Sequence, residues 1–144
     1  MYHKIFLDAN ILLDTFSSKR PHYLFSFKAY EYILKQDGIA LYTSCDIVTT
    51  LYYVGKKVDK NGILDKIAAL NKTLKVIEFS NKEVARTCAL MKEDPNYRDL
   101  EDTMQYILAK KEGCDLIISN DENFYAADIE VIGSREFCER MRVG

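Results

Sequence analysis

The sequence predicts an α/β fold: a central, mostly parallel five-stranded sheet flanked by helices. Five short β-rich runs recur along the 144 residues, at 4–8, 39–43, 75–79, 115–119 and 130–132. Helical periodicity fills the stretches between them, and strands joined through helices pair in parallel. No repeat or low-complexity segment interrupts the pattern, and the only prolines, Pro21 and Pro95, each adjoin a predicted helix boundary. The chain therefore reads as one domain over residues 1–144.

The elements follow in order. The first run ends at Asp8, where a hydrophobic run would have continued, and Asn10 follows it. Residues 9–38 have room for two helices. After the second run, Thr43-Ser-Cys-Asp46 is a loose capping box for a helix, and residues 44–74 again hold two helices, broken at Asn61-Gly62. Ser80-Asn-Lys-Glu83 is a fuller capping box. Asp99-Leu-Glu-Asp102 heads the next helix, with Leu100, Met104, Ile107 and Leu108 as its inward stripe. The last helix begins at Ser134. Tyr30, Tyr52 and Tyr106 fall in helical apolar stripes, and they and the four cysteines are assigned to the core.

Composition narrows the function classes. A 48% hydrophobic and 29% charged chain is an ordinary soluble globule, and no apolar run approaches the roughly 18 residues of a membrane span. Met1-Tyr-His-Lys4 leads straight into a strand rather than a signal peptide. Cys45, Cys88, Cys114 and Cys138 have no CxxC spacing, so a reducing cytoplasm is expected. A net charge of −2 excludes a generally basic nucleic-acid binder but leaves room for a basic patch beside an acidic site. Gly-rich phosphate loops are absent, so nucleotide hydrolysis has no support.

The acids carry the chemistry. Ligands of such sheets sit outside the carboxyl ends of the strands, and Asp8 lies at one such end. Ser119-Asn120-Asp121 follows "DLIIS" in the same manner, and right-handed crossovers bring the helix headed by Asp99 and Asp102 to the same edge. Three separated segments thus deliver carboxylates to one place. Clustered carboxylates raise each other's pKa unless a divalent cation lies between them. Oxygen-only donors select Mg²⁺ or Mn²⁺ over zinc, and metal-assisted phosphodiester hydrolysis follows. Taken singly, Asp8 also reads as a turn-former, Asp99 as a helix cap, and Glu101 and Glu122 as solvated surface acids.

"IFLDANILLD", "DLEDTMQYILAKKEGCDLIISNDENF" and their spacing resemble the PIN-domain family of metal-dependent ribonucleases over nearly the whole chain. Residues 99–124 are the most specific part: an acid-headed helix, a turn at Gly113, a buried strand and Asp-x-x-Phe. The resemblance implies a three-layer fold, Mg²⁺ or Mn²⁺ dependence and RNA cleavage. It assigns the acidic site to Asp8, Asp102 and Asp121, with Asp99 as an extra acid and Asn10 and Asn120 as supporting polar groups. It further implies an antitoxin partner that plugs the acidic groove, and a homodimer.

"YTSCDIVTTLYYV" departs from the pattern, because many relatives carry a glutamate where this chain has Thr49 and Thr50. Asp46, one turn before Thr50, and the Thr50 hydroxyl are the substitutes within that segment; Asp46 also reads as a cap. RNA phosphates would meet Lys19, Arg20, Lys56 and Lys57, and bases would stack on Tyr23, Tyr97 or Tyr125. Two other readings compete. One is a PIN-like RNA- or protein-binding module with a decayed metal site. The other is a haloacid-dehalogenase-like phosphatase, which wants Asp-x-Asp where this chain has Asp8-Ala-Asn10.

Overall fold

A computed structural model describes residues 1–144. The strands are β1 (Lys4–Leu7), β2 (Ala40–Ser44), β3 (Lys75–Ile77), β4 (Leu116–Ile118) and β5 (Glu130–Ile132). The helices are α1 (Ala9–Asp14), α2 (Tyr23–Leu34), α3 (Ile47–Gly55), α4 (Ile63–Thr73), α5 (Asn81–Glu93), α6 (Leu100–Lys111) and α7 (Ser134–Met141). All strand pairings are parallel, in the order β3-β2-β1-β4-β5.

Alternation along β1 divides the core. Ile5 and Leu7 join Leu116, Ile118 and Ile132 under residues of α1, α2, α3, α4 and α7. Phe6 points the other way, with Tyr42, Ile77 and Ile117, against Met104, Leu108 and Ala109 of α6, on which α5 packs. Both faces of the sheet are covered, as a parallel sheet requires. The layers are helix, sheet, helix. No helix is long and apolar enough to cross a membrane.

Several local devices form as their residues dictate. Ser80 and Glu83 complete the capping box of α5. Asp99 caps α6, its side chain accepting from the Asp102 N–H at 2.9 Å. Gly113 turns the chain out of α6 with φ of +75°, a conformation that favours glycine.

Other expectations are corrected. Thr43 lies inside β2 and donates to the Leu7 carbonyl at 3.0 Å, so it caps nothing, and Asp46 precedes α3 without a side-chain cap bond. Leu100 is 56% exposed, because the first residue of α6 precedes the turn that meets the sheet. Cys88 is exposed on the outer face of α5 and Cys45 is half-buried, whereas Cys114 and Cys138 are core residues. Tyr106 is buried; Tyr30 and Tyr52 are half-buried against the core.

Chain order places the site. After β1 the chain builds β2 and β3 on one side, then crosses to β4 on the other side of β1. The reversal opens a crevice at the carboxyl ends of β1 and β4. Leu7 is in register with Ile118, so Asp8 and Ser119 leave the sheet side by side.

Candidate active site

Asp8 is 5% exposed, and its two oxygens are held by named donors. Oδ1 accepts from the Ala9 N–H at 2.6 Å; Oδ2 accepts from Ser119 Oγ at 2.7 Å and Asn10 Nδ2 at 2.8 Å. Desolvation still wins. Burial pushes the Asp8 carboxyl above its ordinary value, the hydrogen bonds pull it back, and Asp121 pushes it further up.

A cleft of about 330 Å³ joins Asp8 to Thr50, Asp99, Glu101, Asp102 and Asp121. Within it the Asp102 carboxyl is pushed up to about 7, first by burial and then by Asp8, Asp99, Asp121 and Glu101. Glu101 is also raised, by burial and by Asp46, Asp8 and Asp99. A second cleft of about 530 Å³ shares Asp99, Asp102 and Asp121 and extends over Asn96, Arg98, Asn123 and Tyr125.

The topology thus brings together Asp8, Asp99, Asp102, Asp121, Asn10 and Thr50 as the sequence predicts. Asp46 is near enough to act on Glu101 but does not line the cleft. Asn120 faces away from it. Its N–H donates to Asn10 Oδ1 at 3.2 Å, its Nδ2 to Asp14 Oδ2 at 3.1 Å, and its Oδ1 accepts from the Ser134 N–H at 2.9 Å. Asn10 and Asn120 therefore brace the loops that carry the acids.

Sequence reasoning missed four residues. Glu101, read as a solvated acid, enters the cleft because the first helical turn fans its side chains over both sides of the axis. Gln105, fully buried one turn later, donates to Glu101 Oε1 at 3.3 Å. Ser119 carried a signal in standing directly before Asn120-Asp121. Asp14, 2% exposed, accepts from Arg20 Nε at 2.8 Å and Ser26 Oγ at 2.6 Å, and nothing in "LLD" announced it.

The basic candidates separate. Arg20 is taken up by Asp14, Lys56 lies over the Tyr52 and Tyr53 rings, and Lys19 and Lys57 are exposed. Tyr97 is 4% exposed and unavailable for stacking.

The donor set suits a hard divalent cation, being all oxygen and rich in carboxylate. Three buried polar atoms lack partners, Ser44 Oγ, Asp46 Oδ1 and Gln105 Oε1, and all belong to segments that meet at this edge. As the side chains stand, no three acids converge on one point, so holding an ion would draw them together.

Comparison with known proteins decides the family, since the PIN domain profile matches residues 5–130. The chain belongs to the PIN-domain family. It is 47% identical over 137 residues to Ribonuclease VapC1 of Aquifex aeolicus (strain VF5), covering 95% of this chain and 94% of that protein. It is thus a homologue of a VapC-type PIN ribonuclease. Among solved structures, VapBC2 from Rickettsia felis, bound to a DNA fragment from its promoter, superposes with a TM-score of 0.67 at 18% identity, covering 89% of this chain and 96% of that one. VapC20 of Mycobacterium tuberculosis, a sarcin-ricin loop cleaving toxin, superposes with a TM-score of 0.64 at 11% identity, covering 78% and 86%. These two likenesses bear on the fold, and the PIN fold accounts for the strand order and for the acidic edge at its switch point.

Proposed function

We propose that this PIN-domain chain hydrolyses phosphodiester bonds of single-stranded RNA at the acidic edge. Asp8, Asp102 and Asp121 would hold Mg²⁺ or Mn²⁺, with Asp99 and Glu101 completing the cluster. The observation that carries the reading is one cleft in which three separated segments place five acids, in a chain 47% identical to a ribonuclease.

When bound, such an ion polarises the phosphoryl group, acidifies a water and neutralises the departing oxygen. The chain's own residues do the rest. Ser119, Asn10 and the Ala9 N–H fix the Asp8 carboxylate in one orientation. Asp99 spends Oδ1 on the α6 cap, which leaves Oδ2 for the cleft. Asp102, with its carboxyl near 7, gives up its proton in the range where the site is to work. Thr50 supplies a hydroxyl on the cleft wall where many relatives carry a glutamate.

The decayed-site reading is disfavoured, because the lost glutamate leaves five acids in the cleft. The phosphatase reading is disfavoured too: Asn10 stands where its second acid would be, and no lysine lines the cleft. Partners follow the same reading. An antitoxin that plugs the groove is supported by the VapBC2 likeness, and a homodimer by the family resemblance. Four free cysteines suit a reducing cytoplasm.

The test is cleavage of a fluorescent single-stranded RNA pool in Mn²⁺ and Mg²⁺. Activity lost on chelation and in Asp8→Asn supports the proposal; activity that survives both refutes it.

A further inference from the structure

We propose that the cleft beside the acids is a nucleotide subsite, in which Tyr125 stacks a base next to the scissile phosphate and Arg98 holds a flanking phosphate. The inference rests on the ribonuclease reading and adds to it a determinant of which RNA is cut.

The cleft, at about 530 Å³, is roomy enough for one nucleotide and opens directly onto Asp99, Asp102 and Asp121. Its walls are two short turns. Asp94 Oδ1 accepts from the Asn96 N–H at 3.0 Å in one, and Asp121 Oδ1 accepts from the Asn123 N–H at 2.9 Å in the other. These bonds fix the backbone of both turns before any ligand arrives, which lowers the ordering cost of binding.

Tyr125 is the aromatic that remains available. It is 36% exposed, and its ring meets Tyr97 edge to face at 4.8 Å. Tyr97 is itself fixed, lying 5.1 Å from the Tyr106 ring and accepting from the Ala127 N–H at 3.0 Å. A braced, part-exposed ring on a cleft wall is the element that single-stranded nucleic acids use, because every base has a π-face to lay on it.

Arg98 supplies the charge. It shares the cleft with three carboxylates yet takes part in none of the chain's ion pairs. A free guanidinium at the rim of an acidic site can offset the repulsion felt by an RNA backbone there. Asn96 and Asn123, on opposite walls, carry amides suited to a base edge. A base stacked on Tyr125 in a cleft lined by two amides would be read by its edge, giving a base preference at one position beside the cut.

The test uses Tyr125→Leu, Tyr125→Phe and Arg98→Gln. Cut sites in a random single-stranded RNA pool are mapped by sequencing, and pool binding is measured by anisotropy in the Asp8→Asn background. Tyr125→Leu should weaken binding roughly 10-fold and flatten the preference at one position, and Tyr125→Phe should keep both. Arg98→Gln should reduce the salt dependence by about one phosphate contact. Equal binding and an unchanged cut-site preference in Tyr125→Leu and Tyr125→Phe would overturn the subsite. Binding that depends on Tyr125 without any cleavage would uphold it and sink the hydrolysis reading instead.

Discussion

Ser119 Oγ donates a 2.7 Å hydrogen bond to Asp8 Oδ2, joining two residues 111 positions apart. The bond exists because β1 and β4 are neighbours in register, so their first residues beyond the sheet must meet. It orients the Asp8 carboxyl and opposes, without cancelling, the upward push of burial on it. Ser119→Ala should destabilise the fold by about 1–2 kcal/mol and weaken the thermal stabilisation given by Mn²⁺. Urea denaturation at pH 7 checks the first effect, and melting in a Mn²⁺ series checks the second.

Asp102 predicts a pH dependence. Its carboxyl is pushed up to about 7 in the folded chain from the ordinary 3.8 of an aspartate, so between those values the folded state binds more protons than the unfolded one. Stability must then fall as pH rises from about 4 to about 7. In a chelating buffer the protein should melt lower at pH 8 than at pH 5.5. Asp102→Asn should flatten that slope and raise the melting temperature at pH 8. A slope as steep in the variant as in the parent would contradict the assignment.

Glu101 bears on the glutamate missing near Thr50. It stands in the same cleft as Thr50 and accepts from the buried Gln105, whereas Asp46 does not line that cleft. Glu101→Gln should raise the Mn²⁺ concentration needed for half-maximal stabilisation by about tenfold, ~1.4 kcal/mol. Asp46→Asn should shift it less. The reverse order would return the compensating role to Asp46.

Asp14 anchors the outer frame of the site. Nearly all of its surface is buried, and Arg20, Ser26 and Asn120 donate to it. Asp14→Ala should cost about 3 kcal/mol, since it strands three donors, one of them charged. Arg20→Ala should cost less, because that side chain is partly solvated. Urea midpoints of the two variants give the comparison.

Much of this was legible in particular residues. Five apolar runs with helical spacers dictated the parallel sheet, and the switch point then drew Asp8, Asp99, Asp102 and Asp121 together. Glu101 was not legible, because the side of the axis taken by a first-turn residue depends on how α6 lies against the sheet. Thr43 misled, since the threonine that starts a capping box also suits a strand, and tertiary pairing with Leu7 decided. Asp14 was invisible because its donors come from α2, from the loop after β4 and from Arg20. A buried acid's partners are a property of packing, which periodicity does not encode.

Calorimetric titration with Mn²⁺ at several pH values between 5.5 and 8 tests the central claim most directly: that this edge is a cation site built from desolvated carboxylates. The account predicts saturable binding that strengthens as pH rises through about 7, with proton release below that pH, and its loss in Asp8→Asn. Binding that is absent at millimolar Mn²⁺, or indifferent to both pH and Asp8→Asn, would contradict it.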